Sequence, residues 1–384
     1  MTPQARLSAA IFVLDRILSG DVAEKALTNW GRASRFAGSG DRLAVRDLVF
    51  DALRCKRSFA ALGGGETGRG LILGGLRDRG IDPAEMFTGI AHAPAVIGPN
   101  DVGVAASDLA QLDCPDWLAP HLCAALGDNF VPVLQAMRHR AAVFLRVNLA
   151  KTTLQNAQAA LRHDGIATRP VPGVKTALEA IENARKIQTS AAYLAGLVEL
   201  QDASSQAVVQ LLPLHANMKV LDYCAGGGGK TLAMAAVAKL RLFAYDVQPR
   251  RMQDLPARAT RAAATIIIVE NPEKSAPYDL ILTDVPCSGS GSWRRDPQGK
   301  WALTPDRLAA LIALQTTIID RAAALLGPCA TLAYVTCSML HAENEAQVAG
   351  FLARHPDFRA TLQRRFSPLS GGDGFFVALL TRES

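Results

Sequence analysis

The sequence has few cysteines and no closely spaced pair of them. Its seven cysteines are an odd number, and no two of them form a CxxC motif. A disulfide framework and a zinc ribbon both need paired cysteines, so this pattern argues against both and fits thiols kept reduced in the cytosol. We therefore expect a cytoplasmic protein without a metal site, in which any special cysteine acts through its own chemistry.

Long hydrophobic runs are also missing. No stretch approaches the ~18–20 uninterrupted apolar residues that a helix needs to cross a bilayer. The apolar segment 7–14 is followed at once by Asp15 and Arg16, which makes it unsuitable as a signal sequence. We expect no membrane partner.

What the chain does have is apolar content and a small excess of positive charge. Of its 384 residues, 49% are apolar and 20% are charged, so it can bury a large core. Chains of this length usually form two or three domains of ~100–200 residues each. The 41 basic residues exceed the 35 acidic ones by 6. This balance is compatible with a polyanionic partner but does not establish one.

The spacing of apolar residues divides the chain into three parts. Up to residue 140 apolar residues recur at helical spacing, which predicts an all-α domain over 1–140. A strand-like run at 143–148 and a helical segment after it predict a small α+β subdomain over 141–200. Over 201–384, strands alternate with helical segments, as in an α/β domain with a doubly wound parallel sheet. The predicted strands of this sheet are 219–222, 242–246, 265–269, 280–284 and 331–336.

Basic side chains cluster in two places. The first cluster alternates with aspartates, so a solvated helix face and an RNA-facing patch are equally good interpretations; it comprises Arg32, Arg35, Arg42, Arg46, Arg54, Lys56 and Arg57. The second, between residues 136 and 151, contains no acid and is therefore a candidate for contact with phosphate; it comprises Arg138, Arg140, Arg146 and Lys151.

A glycine run follows the first predicted strand of the large sheet. A glycine loop between a strand and a helix lets the backbone approach a ligand, and the helix N-terminus favours negative groups. The sequence therefore predicts a nucleotide-like ligand at this loop. A P-loop is disfavoured because its first glycine is replaced by cysteine. The loop residues are Cys224, Ala225, Gly226, Gly227, Gly228, Gly229 and Lys230.

Acidic residues follow the next two predicted strands. Asp246 stands twenty residues after Gly226, where an acid in a Rossmann-like sheet accepts hydrogen bonds from ribose hydroxyls. Glu270 or Asn271, after the third strand, can reach an adenine edge. Together with the glycine loop, these residues predict a ribose-bearing cofactor.

Two cysteines and an acid stand at the ends of the last two predicted strands. These strands are neighbours in the common doubly wound order, so Asp284, Cys287 and Cys337 should converge at one edge of the sheet. Both thiols lie in polar turns, where a partly exposed thiolate can exist. The remaining cysteines outside the glycine loop are interpreted as small buried hydrophobes: Cys55, Cys114, Cys123 and Cys329.

This set of groups suits methylation of carbon 5 of cytosine. A thiolate that adds to carbon 6 makes carbon 5 nucleophilic toward a methyl sulfonium. A carboxyl group hydrogen-bonded to N3, the role we assign to Asp284, would stabilise the charge that develops. The second cysteine would assist loss of the carbon 5 proton and release of the enzyme. The residues alone leave open which cysteine attacks.

These motifs resemble those of the Sun-type, RsmB-like RNA 5-methylcytosine methyltransferases, which use S-adenosylmethionine. The resemblance rests on segment 221–231, on Asp-Val-Pro-Cys-Ser-Gly at 284–289, where valine replaces the usual alanine, and on Thr-Cys-Ser at 336–338. Shorter flanking matches include Arg-Val-Asn at 146–148 and Glu-Asn-Glu at 343–345. Gly226 and Gly227 replace the usual Ala-Pro, which bears on cofactor affinity.

The resemblance implies a Rossmann-like methyltransferase domain behind a NusB-like helical domain and a small RRM-like subdomain. It implies that Cys337 is the nucleophile and that Cys287 promotes product release, while Lys230 either orients catalytic groups or caps the loop. S-adenosylmethionine would be bound by the glycine loop with Asp246, Glu270 and Asp284. The implied partner is RNA, most simply 16S ribosomal RNA.

Two alternative functions stay open. A catalytically silent RNA-binding assembly factor is suggested by the altered glycine loop, although such a protein has no use for Asp284, Cys287 and Cys337 together. A transfer RNA cytosine-5 methyltransferase would carry the same motifs. The sequence determines neither the methylated nucleotide nor the oligomeric state, for which a monomer is the simplest expectation.

Overall fold

A computed structural model describes residues 1–383. The chain forms two compact units: Met1–Arg140 together with Trp293–Leu303, and Ala141–Ser292 together with Thr304–Ser384. The sequence pattern gave no sign that segment 293–303 belongs with the N-terminal helices. None of the helices within residues 1–383 is long and apolar enough to span a bilayer.

The first unit is all-α. Its core is formed by apolar side chains that face inward from three of its long helices, among them Leu14, Val49, Leu53 and Leu71, all at most 2% exposed. Its first eight helices are α1 (Pro3–Leu18), α2 (Ala23–Ala33), α3 (Ser39–Arg54), α4 (Lys56–Gly63), α5 (Gly68–Asp78), α6 (Asp108–Gln111), α7 (Ala119–Leu126) and α8 (Phe130–Met137).

Hydrogen bonds tie segment 293–303 into this unit. Trp301 Nε1 donates to the carbonyl of Leu53 at 2.6 Å. The buried Lys300 Nζ donates to the carbonyls of Arg54 at 3.1 Å and Asp113 at 2.9 Å. These partners are far apart in sequence, which is why the local apolar pattern could not indicate the contact.

The second unit begins with a small antiparallel sheet in the order β2-β3-β1-β4. Its core contains Leu145, Leu161 and Ile187, all fully buried. The elements are β1 (Val143–Val147), α9 (Leu154–His163), β2 (Thr168–Pro170), β3 (Ala177–Ala180), α10 (Ala191–Leu194) and β4 (Val198–Leu200).

The larger sheet has seven strands in the order β10-β11-β9-β8-β5-β6-β7. Strands β5 to β9 pair in parallel, and β11 is antiparallel to both of its neighbours. The strands are β5 (Lys219–Asp222), β6 (Arg241–Ala244), β7 (Ile267–Ile268), β8 (Tyr278–Asp284), β9 (Leu326–Thr336), β10 (Phe358–Phe366) and β11 (Phe375–Arg382). The predicted doubly wound α/β fold is therefore confirmed.

The remaining helices connect these strands. They are α11 (Ala203–Gln210), α12 (Gly229–Ala235), α13 (Leu255–Ala262), α14 (Pro297–Ala302, in the first unit), α15 (Pro305–Ala323) and α16 (Glu345–Arg354). Helix α12 starts directly on the glycine loop, as the sequence predicts.

The strand predictions were most accurate in the centre of the sheet. Strand β5 has the predicted bounds, whereas the third strand shrinks from 265–269 to Ile267–Ile268. It lies at the edge of the sheet and its two side chains are 45% and 42% exposed, so burial does little to extend it. The C-terminal pair β10 and β11 was not predicted, and β10 is an edge strand with charged residues between apolar ones.

The sheet order places the ends of β5, β8 and β9 side by side. Leu282 of β8 pairs with Asp222, the last residue of β5, and Asp284 of β8 pairs with Val335 of β9. The chain runs from β5 to the edge strand β7 and then crosses over to β8, so the switch point of the sheet lies between the neighbouring strands β5 and β8. Open α/β sheets bind ligands at this point.

Candidate active site

The two predicted thiols meet at the ends of β8 and β9. Cys287 Sγ and Cys337 Sγ are 3.3 Å apart. The backbone joins the two turns as well, because Gly291 N donates to the carbonyl of Cys337 at 2.9 Å. The convergence expected from strand order is thus present in the structure.

The two thiols differ in pKa. The hydrogen bond from Cys287 lowers the pKa of Cys337 below its ordinary value, and Lys230 acts in the same direction against burial and the charge of Asp284. The same hydrogen bond, together with burial and the charge of Glu343, raises the pKa of Cys287 well above the ordinary range. Cys337 is therefore the more readily ionised thiol; either sulfur can donate while both are protonated, and once Cys337 is ionised only Cys287 can donate.

Lys230 reaches from the glycine loop to the acid at the end of β8. Its Nζ lies 2.6 Å from Asp284 Oδ2, and it also stands 4.9 Å from the centre of the Phe375 ring. The ammonium group is nearly buried, whereas the Asp284 side chain is about one third exposed. Of the two interpretations of Lys230, these contacts match orientation of a neighbouring side chain rather than capping of the loop.

The glycine loop has a backbone that requires glycine. Gly226 and Gly228 have φ values of +51° and +78°, in the left-handed region. A Cβ on Gly228 would lie 2.2 Å from Leu255 Cδ1, so the loop also packs closely on α13. Cys224 and Ala225 are largely buried, and burial raises the pKa of the Cys224 thiol.

Asp246, which follows the end of β6, binds the backbone of the glycine loop. Its Oδ2 accepts from Gly226 N and its Oδ1 from Gln248 N, both at 2.9 Å. The guanidinium of Arg251 lies 3.2 Å from Oδ2. Glu270 is exposed beyond the end of β7, and Asn271 accepts from Lys274 N at 3.4 Å, which gives this amide a local role in its own turn.

Asp222 is a site residue that the sequence analysis missed. It is 1% exposed, its Oδ2 accepts from the Thr231 hydroxyl at 2.6 Å, and its buried Oδ1 has no partner within residues 1–383. Burial raises the pKa of Asp222 to about 7, and the charges of Asp284 and Asp246 act in the same direction. The sequence did contain one indication of this role, because Asp222 is the last residue of the strand that precedes the glycine loop.

The positive stretch at 136–151 is not a free phosphate-binding surface, which corrects the sequence interpretation. Arg146 is buried and donates to the carbonyl of Gly229 at 2.7 Å and to Gln201 Oε1 at 2.5 Å. The other three cations of the stretch contact acids or carbonyls from distant segments: Arg138 with Asp113, Arg140 with Asp47, and Lys151 with the carbonyls of Ala195 and Arg261.

The burial of the other cysteines was predicted only in part. Cys123 and Cys329 are exposed rather than buried, whereas Cys55 and Cys114 are buried as expected.

Most residues of the first basic cluster contact other groups of the helical unit. The contacts are Arg42 with the carbonyl of Ala37, Arg46 with Glu24, Arg54 with Asp51, Lys56 with Glu66 and Arg57 with Asp116. The solvated, ion-paired helix face is the better interpretation for Arg46, whereas Arg54 is buried.

The strand order, the loop after the first parallel strand and the acid after the second define a Rossmann-like methyltransferase fold. The crystal structure of the protein PH0851 has the same fold, with a TM-score of 0.77 and 21% identity, covering 100% of this chain and 99% of that chain.

Sequence comparison identifies the family. The family model for 16S rRNA methyltransferase RsmB/F matches residues 209–381, and a model for the ferredoxin-like domain of RsmF/B-like methyltransferases matches residues 114–188. The second match begins within the N-terminal unit, before the predicted boundary at 141. The chain belongs to the RsmB/F methyltransferase family.

Two relatives illustrate the similarity. Ribosomal RNA small subunit methyltransferase B of Photorhabdus laumondii is 32% identical over 284 residues, which cover 70% of this chain and 66% of that protein. The protein of the same name from Vibrio cholerae is 30% identical over 298 residues, which cover 74% of this chain and 68% of that protein. The matched region is thus about two thirds of the length of these relatives.

Proposed function

We propose that this protein methylates carbon 5 of a cytosine in RNA, with S-adenosylmethionine as methyl donor and a covalent bond between Cys337 and carbon 6. The observation that carries the proposal is the 3.3 Å contact between Cys287 and Cys337. At the same edge of the sheet, Lys230 and Asp284 form an ion pair. A scaffold protein would have no need to keep two thiols in contact beside a carboxylate.

The residues around the glycine loop fit S-adenosylmethionine. This cofactor carries a sulfonium and an ammonium group, and it supplies the methyl group when bound. Three carboxyl groups surround the loop, from Asp222, Asp246 and Asp284, and one buried oxygen of Asp222 has no partner within residues 1–383. A cationic ligand would relieve the mutual repulsion that helps raise the pKa of Asp222.

Attack on the base is assigned to Cys337. Its pKa is lowered by the contact with Cys287, whose S–H can donate to the Cys337 sulfur once that sulfur is ionised. As the C6–S bond forms, electron density moves through the ring to N3. The Lys230 ammonium holds a proton 2.6 Å from Asp284, so this pair can supply a proton to N3 through the carboxyl group.

Release is assigned to Cys287. After carbon 5 has accepted the methyl group, a water molecule takes the carbon 5 proton, the C5–H bonding pair forms the C5–C6 double bond, and the C6–S bond breaks, which returns its bonding pair to the Cys337 sulfur. The S–H of Cys287 then regains its acceptor and stabilises the departing thiolate. The N3 proton returns to the Asp284–Lys230 pair, so that the net reaction replaces one ring hydrogen by methyl and frees one proton.

The proposed substrate is small-subunit ribosomal RNA. The support is the name of the family model and of the two relatives described above. The target base must leave its helical stack to meet Cys337, at a cost of a few kcal/mol.

A labelling experiment tests this function. The purified protein, tritiated S-adenosylmethionine and unmodified 16S transcript should give labelled 5-methylcytosine on nucleoside analysis, and transfer RNA should give none. The Cys337→Ala variant is the matched inactive enzyme, and Cys329→Ala, at an exposed thiol away from the described contacts, is the control for cysteine loss. Cofactor binding without methylation of any RNA would favour the silent assembly factor, and labelled transfer RNA alone would reassign the substrate.

A further inference from the structure

Glu343 lies beneath the two turns that carry the thiols. It is fully buried in the short turn that follows β9. Its Oε1 accepts from Ser288 N at 2.8 Å and from Gln315 Nε2 at 2.9 Å. Its Oε2 accepts from the hydroxyls of Ser288 and Ser338, both at 2.5 Å.

Each of these serines directly follows one of the two cysteines. Ser288 is next to Cys287, and Ser338 is next to Cys337. One carboxylate therefore holds both turns, at a point one residue away from each sulfur. Within residues 1–383 no cation forms an ion pair with Glu343, so the four donors alone compensate for its burial.

We propose that Glu343 is a positioning residue, which sets the contact between Cys287 and Cys337 by binding Ser288 and Ser338 at the same time. An amide does not reproduce this set of bonds. Its single oxygen can accept from the two N–H donors at Oε1 or from the two hydroxyls at Oε2, but not from both pairs, so the serine hydroxyls would lose their shared acceptor or the N–H groups would meet an NH₂. A buried carboxylate without a countercharge is costly, and hydrophobic packing would close these turns at lower cost. An effect of Glu343 on the rate of methylation rests on the proposed function. Its effect on the distance and reactivity of the two thiols does not.

The charge of Glu343 has a second effect on the pair. It contributes to the raised pKa of Cys287 and so keeps this thiol protonated as the donor to Cys337. Both effects favour the same arrangement, in which the sulfurs are close and only Cys337 is readily ionised.

The reduction potential of the thiol pair tests the positioning role without any methylation assay. The full-length protein is equilibrated in mixtures of reduced and oxidised glutathione, and the Cys287–Cys337 disulfide is quantified by peptide mass spectrometry. Oxidation of the two thiols consumes one oxidised glutathione and yields two reduced ones. We expect Glu343→Gln to weaken disulfide formation at least tenfold, a rise in potential of about 30 mV or more.

Glu345→Gln is the matched control, because Glu345 lies two residues further along, at the start of α16, and pairs with the surface residue Arg365 at 2.5 Å. Its thiol potential should equal that of the wild type. If Glu343→Gln does not fold, Ser338→Ala removes one of the two hydroxyl donors and should shift the potential in the same direction. An unchanged potential in whichever of the two variants folds overturns the proposal.

The catalytic consequence is read from a separate assay. Glu343→Gln should lower kcat about tenfold or more, because misplaced reacting groups cost rate, while the KM for S-adenosylmethionine stays within about twofold. A changed thiol potential together with an inactive wild type would retain the positioning role and reject the proposed function. A changed KM with unchanged kcat and potential would instead reject the positioning role.

Discussion

The ammonium of Lys230 and the carboxylate of Asp284 form an ion pair of 2.6 Å between the glycine loop and the end of β8. This pair joins the segment assigned to the cofactor with the segment assigned to the base. Lys230 is also within reach of the thiol charge, since it lowers the pKa of Cys337. A single side chain thus contacts or influences both groups assigned to the chemistry.

Replacing Lys230 by methionine should therefore reduce the chemical step. We expect kcat to fall about 10²–10³-fold, because the variant loses both the proton near Asp284 and a positive charge near Cys337. Single-turnover methylation of RNA measures this loss. Lys239→Met, at an exposed position, is the control and should keep wild-type kcat. Equal rates for the Lys230 variant and the wild type would remove Lys230 from the mechanism.

The two cysteines should give opposite adduct phenotypes. Cys287→Ala should still attack RNA but release it slowly, so a covalent protein–RNA adduct should accumulate. Cys337→Ala should form no adduct and lose methylation at least about 10³-fold, because it lacks the nucleophile. Denaturing gel shifts with labelled RNA and S-adenosylmethionine distinguish these results. Adducts from Cys337→Ala but not from Cys287→Ala would reverse the assigned roles.

Alkylation rates should report the unequal ionisation of the thiols. In the wild type, the pH dependence of iodoacetamide labelling should give Cys337 a pKa below the ordinary 9.0. The Cys287→Ala variant should move the labelling of Cys337 to higher pH, because the largest cause of its lowered pKa is the bond from Cys287. Peptide mass spectrometry follows the label, with Cys329→Ala as the control. A Cys337 profile that does not depend on Cys287 would contradict this account.

Asp222 should make stability depend on pH. Its folded pKa of about 7 lies above the ordinary 3.8, so its contribution is fully present below pH 3.8 and is lost as pH rises through 7. Relative to the wild type, Asp222→Asn should therefore gain roughly 3 kcal/mol in unfolding free energy between pH 5 and pH 8. Urea unfolding at both pH values measures this. The exposed Asp254→Asn should show no such gain, and a pH-independent difference for Asp222→Asn would show that its pKa is not raised.

The sequence alone determined the large sheet and most of the residues at its edge. The loop at 224–230 is recognisable because consecutive glycines between a strand and a helix have few structural uses other than close approach of a ligand. The convergence of Cys287 and Cys337 at one edge followed from strand order, since parallel strands place their carboxyl ends at one edge, whereas their direct contact is seen only in the structure. These features depend on local pattern and on a general rule of topology.

Only the tertiary structure decided which charges are free and which side chains support the site. Arg146 looked like a phosphate ligand in the sequence but is buried against the carbonyl of Gly229. Glu343 looked like a flanking match but binds the neighbours of both thiols. Hydrogen-bond partners that are distant along the chain decide such roles. A charged side chain has the same local pattern in sequence whether it faces solvent or is buried against a carbonyl or hydroxyl from another segment.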